Sequence, residues 1–498
     1  MNDLLRTYHP SGPPAGVREL PCGPSSVPPE HLFPALARSP HESLLLSGGT
    51  HPLSRFSFIG LEPFLILTGR GRKVSIEFLP GKCRESVSGD PFETLRHILN
   101  FYRLETFPGP PIFRAGGIGY LSYELARHLE RLPVTTADDL ELPEIYFAFY
   151  RAILCHERES RSYTLFGLDF PAQGKDGNCE QDLGAIHSRV LRLLHSPAWR
   201  GVFPRNRHRP ALQSNFTRAD YLAAIHRVLE YIRAGDIYQA NISQRFHTPY
   251  SGDSYGLFLK LFEINPAPFF AYLDAGPLQV ICSSPERFLL VQDDRVETRP
   301  IKGTLPRGRT SRMDQGIGQE LLKSVKNRAE LAMITDLLRN DLGRVCAYGS
   351  VVVEDPARLE AYTNVFHLVS IVTGRLAPGR DRVDLLRATF PGGSITGCPK
   401  IRAMEIIDEL EPTARSVYTG SIGYLCFDGA MDLNIAIRTL VRKGDELYYQ
   451  VGGGIVFDSD PQAEYEETLH KAASMREAVL ASTDAGSRAH SEPFCTGP

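Results

Sequence analysis

The chain has 498 residues, of which 42% are hydrophobic and 23% charged, with a formal net charge of -3. These values are ordinary for a globular protein of two or three domains, and the absence of a basic excess argues against a nucleic-acid surface. No apolar run is long enough to predict a membrane span. The 9 cysteines lack zinc-ligand spacing and suit reduced thiols, so we expect a cytoplasmic location.

Composition divides the chain into five successive segments. In order, they are a Pro-rich lead-in without a signal-peptide pattern (1–30), an N-terminal domain (31–200), a Pro- and Arg-rich linker (201–215), a second domain (216–482) and a polar tail that we expect to be disordered (483–498). The N-terminal domain is predicted to consist mainly of strands, such as SRFSFIG and FLILTG, with one amphipathic helix over 91–103.

The second domain begins with a predicted helix. Thr217 or Asp220 can cap its start, Gly235 ends it, and the strand DIYQANISQRF follows at 236–246. Further helices are predicted among β runs, over 315–344, 383–389, 399–409 and 461–480. Because strands and helices do not alternate strictly, this order predicts an α+β fold of mixed or antiparallel sheets rather than a doubly wound parallel sheet.

Two short segments from the two domains resemble each other. GIGYLSYE spans 117–124 and SIGYLCFD spans 421–428. The similarity arises either by chance, from two ordinary strand–turn pieces, or from pseudo-symmetry between the domains.

Three charged residues share one face of the last predicted helix, because Glu464, Glu467 and Lys471 are spaced i, i+3 and i+7. Two carboxylates at this spacing can both reach a hard cation, and the lysine can hold a ligand carboxylate. An acidic helix start and a Glu–Lys pair four residues apart are also ordinary on a solvated helix. Spacing alone therefore leaves both interpretations open.

A run of three glycines, Gly452 to Gly454, follows the strand LYYQV. Glycines leave backbone N–H groups open to an anion. A second strand follows the run, so it is not a dinucleotide-binding fingerprint. A β-bulge or a tight turn is the alternative interpretation.

Lys302 in PIKGTLPRG and Glu286 in SSPERF are groups whose chemistry depends on burial. A lysine is a nucleophile only when neutral, which requires desolvation or a neighbouring positive charge such as a metal ion. Glu286 can donate a proton if burial raises its pKa; otherwise it pairs with Arg287 or Arg299. Glu330 lies beside the apolar stripe of a predicted helix and by itself resembles a solvated charge.

Nine motifs in a fixed order resemble the catalytic domain of the chorismate-utilising enzymes. They are GDIYQANISQRF, SSPERF, TRPIKGTLPRG, KNRAELAMITDLLRNDLGRV, VFHLVS, FPGGSITGCPKIRAMEIIDELEP, GSIGYL, NIAIRTL and VGGGIVFDSDPQAEYEET. LLLSGG, SRFSFIG and GGIGYLSYE are similar to the leading domain of the same family. The resemblance implies two large β-sheets packed as a sandwich with helices outside, and it implies Mg²⁺ and chorismate as ligands.

The resemblance also implies roles for individual residues. Glu330 and Glu467 match the Mg²⁺ ligands, with Glu464 as a direct or water-mediated third. The residues expected at the pyruvyl carboxylate of chorismate are Arg438, Tyr424, Lys471, Gly453 and Gly454. Those expected around its ring are Thr304, Thr396 and Gly420 at the ring carboxylate and His367 near the ring hydroxyl. Two segments resemble the tryptophan site of anthranilate synthases, and they contain Ser47, Arg55 and Phe56. Three alternatives are open for this chain: it binds tryptophan there, it keeps a degenerate pocket, or it binds nothing.

Within the family, a few positions discriminate between activities. Isochorismate and salicylate synthases place a water-activating lysine where this chain has Gln239. Anthranilate synthases read PIAGT, FQV and LSGAPK, whereas this chain reads PIKGT, YQAN and ITGCPK, the pattern of aminodeoxychorismate synthases. In that group, the lysine that matches Lys302 is thought to attack C2 of chorismate. Cys398 and Phe366 depart from the pattern without removing an expected functional group.

No glutaminase signature accompanies these motifs, so the resemblance implies that a separate glutamine amidotransferase subunit supplies ammonia. The alternatives are an anthranilate synthase, which differs in regiochemistry, and a non-catalytic chorismate or tryptophan sensor. A sensor would have no need of Lys302 as a nucleophile, and Glu286, Glu330 and Glu467 are also intact.

Overall fold

A computed structural model describes residues 1–8, 12–79, 83–107, 112–170, 179–196 and 211–482. The helices are α1 (Asn2–Tyr8), α2 (Pro29–Leu36), α3 (Pro91–Phe101), α4 (Cys179–Leu194), α5 (Arg218–Ala234), α6 (Ser254–Ile264), α7 (Ser311–Lys323), α8 (Val325–Gly343), α9 (Arg382–Thr389), α10 (Lys400–Leu410) and α11 (Pro461–Ala481). The strands are β1 (Gly16–Pro24), β2 (Ser43–Leu46), β3 (Phe56–Arg70), β4 (Lys73–Phe78), β5 (Cys83–Ser88), β6 (Gly116–Leu121), β7 (Ile145–Glu157), β8 (Ser162–Asp169), β9 (Gln213–Ser214), β10 (Gln239–Pro249), β11 (Phe269–Asp274), β12 (Leu278–Ser284), β13 (Arg287–Gln292), β14 (Arg295–Thr298), β15 (Ile301–Pro306), β16 (Val352–Ala361), β17 (Val365–Arg375), β18 (Gly397–Cys398), β19 (Ser421–Cys426), β20 (Met431–Asn434), β21 (Thr439–Lys443) and β22 (Glu446–Ile455).

The strands form an extensive antiparallel sheet system, which confirms the predicted α+β class. Within the described ranges, hydrogen bonds connect all of the named strands into one network. The longest pairing joins β3 to β7, from Phe56 opposite Glu157 to Gly69 opposite Ile145. Helices pack on the sheets; α3 and α9, for example, contribute Leu95 and Leu386 to the same apolar cluster. No helix in the described part of the chain is long and apolar enough to cross a membrane.

The N-terminal strands pair directly with strands of the second predicted domain. β2 pairs with β11, and β6 pairs with β19. The two similar segments GIGYLSYE and SIGYLCFD are therefore neighbours, with Gly119 opposite Gly423. A Cβ at Gly119 would overlap the carbonyl oxygen of Tyr146, and one at Gly423 would overlap that of Asp432. Close approach of the adjacent strands thus explains the shared glycine. The domain boundary itself stays a prediction.

Local signals placed several elements correctly. The Thr217 hydroxyl oxygen accepts a hydrogen bond from Asp220 N at 3.1 Å, and Gly235 ends α5 with φ +85°. The single helix predicted over 315–344 is wrong, because Ser324 separates α7 from α8 and its Oγ caps the second helix.

The structure describes most of the predicted lead-in, a small part of the predicted linker and none of the predicted tail. Gly16–Pro24, within the predicted lead-in, forms β1 and pairs with β8. Much of the predicted linker over 201–215 and the whole predicted tail over 483–498 lie outside the described residues.

Candidate active site

Lys302 lies where a β-bulge interrupts the pairing of β15 with β17. Gly303 in this bulge has φ +72°, a left-handed conformation that glycine adopts at little cost. A Cβ at Gly303 would lie 2.9 Å from Asn327 Cγ and 2.9 Å from Leu321 Cδ1. The glycine therefore lets β15 bulge against α7 and α8, and this bulge positions the lysine.

The Lys302 amine is half-buried and has no hydrogen bond or ion pair with any residue of the described ranges. Burial lowers the pKa of Lys302. The Glu330 carboxylate opposes this effect, whereas the Lys471 ammonium adds to it. A lowered pKa increases the fraction of neutral amine, which is the nucleophilic form.

Glu286, between β12 and β13, is 5% exposed. Ser394 Oγ donates a hydrogen bond to Glu286 Oε1 at 2.6 Å. Burial raises the pKa of Glu286 to about 7, although Ser394, Lys302 and Arg438 each act to lower it. A carboxyl group with this pKa can donate a proton near neutral pH.

Glu286 forms neither of the ion pairs that the sequence left open, with Arg287 or with Arg299. Arg287 Nη2 lies 2.8 Å from Asp432 Oδ2, and Arg299 Nε lies 2.6 Å from Glu297 Oε1. Because both arginines are matched with other carboxylates, they leave Glu286 for a different role. The alternative in which Glu286 serves as their partner is wrong.

His367 faces Thr304 across the β15–β17 pairing. Its Nδ1 is 2.9 Å from Thr304 Oγ1, while its buried Nε2 has no hydrogen-bond partner. Burial and, to a smaller extent, the Arg438 guanidinium lower the pKa of His367 to about 3. The ring is therefore neutral at physiological pH, with one nitrogen left for a bound group. Arg438 itself adopts φ +51° and is half-buried beside the same groups.

The glycine run belongs to a regular part of β22, so the alternative of a turn or bulge is wrong. Gly453 pairs with Ile242 and Gly454 with Asn241 on β10. A Cβ at Gly454 would lie 2.9 Å from Gln239 Nε2 and 3.2 Å from Lys302 Nζ. Glycine at this position leaves the space in which these two polar groups lie.

The charged face of α11 adjoins the same strand. A Cβ at Gly453 would lie 3.2 Å from Glu464 Oε2 and 4.0 Å from Lys471 Nζ. Lys471 Nζ donates to the Gly452 carbonyl at 3.0 Å and pairs with Glu467 Oε1 at 2.8 Å. The structure thus brings β15, β22 and α11 together around Lys302.

Two of the residues predicted at the ring carboxylate make close contacts with backbone carbonyl groups. Thr396 is fully buried, and its Oγ1 donates to the Gly392 carbonyl at 3.0 Å. Gly420 is packed so closely that a Cβ would overlap the Leu121 carbonyl oxygen. Thr304, by contrast, is exposed beside His367.

Tyr424 does not lie with the Lys302 group, contrary to its predicted place at the pyruvyl carboxylate. It lines a separate cavity, where its ring stacks on Phe113 with centroids 4.7 Å apart. On β19, its neighbours in the sheet are Ile118 of β6 and Asp432 of β20. The motif could not reveal this, because the residues that surround Tyr424 come from segments distant in sequence, among them Phe113 and Asp432.

The separate cavity, of about 400 Å³, brings together Ser47, Arg55 and Phe56, as the predicted tryptophan site requires. Ser47 Oγ donates to the Phe56 carbonyl at 2.6 Å. Arg55 pairs with Glu157 at 2.8 Å, and its guanidinium lies 4.7 Å from the Phe56 ring centroid.

Comparison with known proteins identifies the family. The model of the family described as chorismate binding enzyme matches residues 53–477. The chain belongs to the chorismate binding enzymes. Aminodeoxychorismate synthase component 1 of Salmonella typhimurium is 39% identical over 470 residues, which cover 94% of this chain and 98% of that protein. Anthranilate synthase component 1 of Acetivibrio thermocellus is 37% identical over 86% of this chain and 88% of that protein.

A solved structure supports the fold of this chorismate binding enzyme. Anthranilate synthase component I from Streptococcus pneumoniae superposes with a TM-score of 0.74 at 30% identity. The match covers 86% of this chain and 93% of that one. The architecture expected from the motifs is therefore confirmed.

The carboxylates predicted to bind Mg²⁺ in this chorismate binding enzyme supply hard oxygen donors, which suit that ion. Glu464 is buried, and its Oε1 accepts a hydrogen bond from Ser459 Oγ at 2.7 Å. Burial and the Glu467 carboxylate raise the pKa of Glu464. The Glu330 and Glu467 carboxylates both act to raise the pKa of Lys302. No preformed group of three metal-ligating side chains occurs in the described ranges. Carboxylate oxygens therefore fit Mg²⁺ as ligands. The three glutamates lie around the site, but their carboxylates do not converge on one point.

Two buried amide side chains of this chorismate binding enzyme were not predicted to belong to the site. Gln239 is fully buried with both amide atoms unpartnered, and Asn241 Oδ1 is also unpartnered. From the sequence, Gln239 serves only to distinguish this chain from isochorismate and salicylate synthases. Two amides at i and i+2 in a strand were the available signal, because alternate strand residues share a face.

Proposed function

We propose that this chain is an aminodeoxychorismate synthase component 1, which aminates chorismate at C4 to give 4-amino-4-deoxychorismate on the route to p-aminobenzoate and folate. The observation that carries the proposal is the unpaired Lys302 amine, whose pKa is lowered, near Glu286, whose pKa is about 7. Similarity to the Salmonella typhimurium protein of that name supports the choice.

The proposed chemistry uses these two groups in opposite protonation states. Neutral Lys302 forms an Nζ–C2 bond, the ring double bonds shift, and the C4–O bond breaks as Glu286 gives its proton to the departing hydroxyl, which leaves as water. Ammonia then forms a bond to C4, and Lys302 leaves C2 as a neutral amine. The ionised Glu286 takes the excess proton from the new ammonium group. His367 stays neutral beside the ring hydroxyl.

Glu330 and Glu467, with Glu464 as a third donor, would hold Mg²⁺ at the ring carboxylate of chorismate. When bound, the ion withdraws negative charge from the ring and favours loss of the hydroxyl. Arg438, Lys471 and the Gly453 and Gly454 amides are proposed to hold the pyruvyl carboxylate; Tyr424 is left out of this group because of its position. We expect EDTA to abolish turnover and Mg²⁺ to restore it.

Product identity tests the proposed function. Purified protein is incubated with chorismate, Mg²⁺ and an ammonium salt at mildly alkaline pH, with aminodeoxychorismate lyase added to convert the product to p-aminobenzoate. We expect p-aminobenzoate from the wild type and none from Lys302→Ala. Lys260→Ala, which alters an exposed lysine paired with Glu263, serves as the control and should retain activity.

Anthranilate synthase component 1 is the second candidate, since relatives with that name are also close, at 37% identity for the Acetivibrio thermocellus protein. It would add ammonia directly at C2. Direct formation of anthranilate in the same assay would establish this alternative and refute the role of Lys302.

The ammonia source is proposed to be a separate glutamine amidotransferase, as the component 1 names of the relatives suggest. The isolated chain should use ammonium salts and should not use glutamine. Addition of the amidotransferase subunit should make glutamine a substrate.

The cavity lined by Ser47, Arg55 and Phe56 is the proposed tryptophan site. Calorimetric titration with L-tryptophan tests this directly. Binding that is lost in Phe56→Asp supports the site, whereas no heat of binding identifies a degenerate pocket.

A further inference from the structure

Gln239 carries a buried amide that the fold does not use. Its side chain is fully buried, yet neither Oε1 nor Nε2 has a hydrogen-bond partner. Its backbone pairs with Cys398 at the start of β10. Because an unsatisfied buried amide destabilises a protein, a residue that needed only to fill this space would be apolar.

Gln244 on the same strand shows what a structural glutamine looks like. Its Nε2 donates to Thr468 Oγ1 at 2.7 Å, and its Oε1 accepts from Ser214 Oγ at 2.9 Å. Both ends of that amide join other elements to β10. Gln239 makes no such connection, so its hydrogen-bonding groups are left for something other than the fold.

The neighbours of Gln239 indicate what that is. Gly454 separates its amide from the Lys302 amine, because a Cβ there would lie 2.9 Å from Gln239 Nε2 and 3.2 Å from Lys302 Nζ. Lys302 likewise has no hydrogen bond within the described ranges. Two polar groups without hydrogen-bond partners therefore lie beside one glycine, and rotation of the Gln239 amide exchanges its oxygen with the nitrogen that faces Gly454. Hydrogen bonds at catalytic sites often tighten only when substrate is bound.

We propose that Gln239 is a positioning residue that holds the Lys302 amine for attack on C2, through a hydrogen bond from the amine to Gln239 Oε1. The inference rests on the proposed function, because it assigns a role within the same covalent step. An amide suits this role because its oxygen accepts an N–H without adding a charge. A carboxylate in its place would favour the charged, non-nucleophilic ammonium.

The same bond persists through the step. When the Nζ–C2 bond forms, the lysine nitrogen becomes a secondary ammonium with two N–H groups, and water leaves from C4. Gln239 Oε1 accepts one of these N–H groups. When ammonia bonds to C4, the C2–N bond breaks and the nitrogen keeps the electron pair, so Lys302 returns to its neutral form without an additional proton carrier.

The test measures adduct formation without ammonia. Wild-type protein with Mg²⁺ and chorismate is quenched at short times, and intact-protein mass spectrometry follows the species heavier by chorismate less one water. We expect Gln239→Leu to slow adduct formation at least about tenfold, with the KM for chorismate changed less than about threefold. Its unfolding midpoint should stay the same or rise, since leucine removes two unsatisfied polar groups. Gln239→Glu keeps an acceptor oxygen and should recover part of the rate in alkaline buffer.

Gln450→Leu is the matched control. Gln450 is also buried with an unpartnered Oε1, but it lies on β22 four residues before Gly454, and its replacement should leave the adduct rate unchanged. Equal adduct rates for the wild type and Gln239→Leu would overturn the inference and leave the proposed function intact. A lower unfolding midpoint with a raised KM in Gln239→Leu would also overturn it by showing a structural role. Absence of an adduct and of the 4-amino product in the wild type would instead refute the proposed function.

Discussion

Two buried lysine regions show how differently the protein uses the same side chain. Lys302 lies in the β15 bulge without an ion pair in the described ranges, whereas Lys400 at the start of α10 donates to Asp341 Oδ2 at 2.5 Å and to the Thr389 carbonyl at 2.7 Å. Burial lowers the pKa of both lysines. Of these two lysines, only Lys400 has a hydrogen-bonded carboxylate that compensates for burial, so we expect Lys400 to stabilise the fold and Lys302 to be available for chemistry.

Replacement of Lys302 should give the largest effect. Lys302→Met removes the proposed nucleophile, so kcat should fall at least about a thousandfold. The variant should be as stable as the wild type or more stable, because no described partner loses an ion pair. Steady-state kinetics and urea unfolding of the same sample check both parts. Activity within tenfold of the wild type would remove Lys302 from the mechanism.

Replacement of Lys400 should give the opposite result. Lys400→Met leaves the Asp341 carboxylate, 6% exposed, buried without its cation, which should cost about 3–5 kcal/mol of unfolding free energy. The kcat of the protein that remains folded should change less than about twofold. A loss below about 1 kcal/mol in urea unfolding would show that the pair does not stabilise the fold.

Glu286 allows the same distinction through pH. Its pKa is about 7 in the native state, against an ordinary value of 4.5. The native state therefore binds this proton more tightly than the unfolded chain. The resulting stabilisation is full below pH 4.5 and is lost as pH rises through 7. Glu286→Gln cannot ionise, so its stability relative to the wild type should increase by up to about 3 kcal/mol between pH 4.5 and 8. Parallel pH profiles in chemical unfolding would contradict the raised pKa.

A smaller change sharpens the comparison within the site. Gly454→Ala places a methyl group 2.9 Å from Gln239 Nε2 and 3.2 Å from Lys302 Nζ. Both groups must shift by a few tenths of an ångström, so kcat/KM should fall roughly tenfold. Gly184→Ala on α4, where a Cβ meets nothing within 4 Å, is the control and should keep full activity. An unchanged kcat/KM in Gly454→Ala would place the reacting groups elsewhere.

Elements governed by neighbouring residues could be predicted from the sequence. The start of α5 follows from the Thr217 side chain bonding three residues ahead, and its end follows from the left-handed Gly235. The sequence predicts that the next strand begins at residue 236. In the structure, β10 begins at Gln239, where pairing with Cys398 starts. A strand boundary depends on a distant partner, which local sequence does not contain.

The sequence by itself determined the family, the α+β class and most of the residues that gather around Lys302, because chemical residue types and their order are written along the chain. Tertiary structure alone decided which of them meet. It placed Tyr424 in another cavity, paired Arg287 and Arg299 away from Glu286, and brought Gln239 beside Lys302 across Gly454. Burial and partners set the charge state of a side chain, and both are properties of packing between residues far apart in sequence.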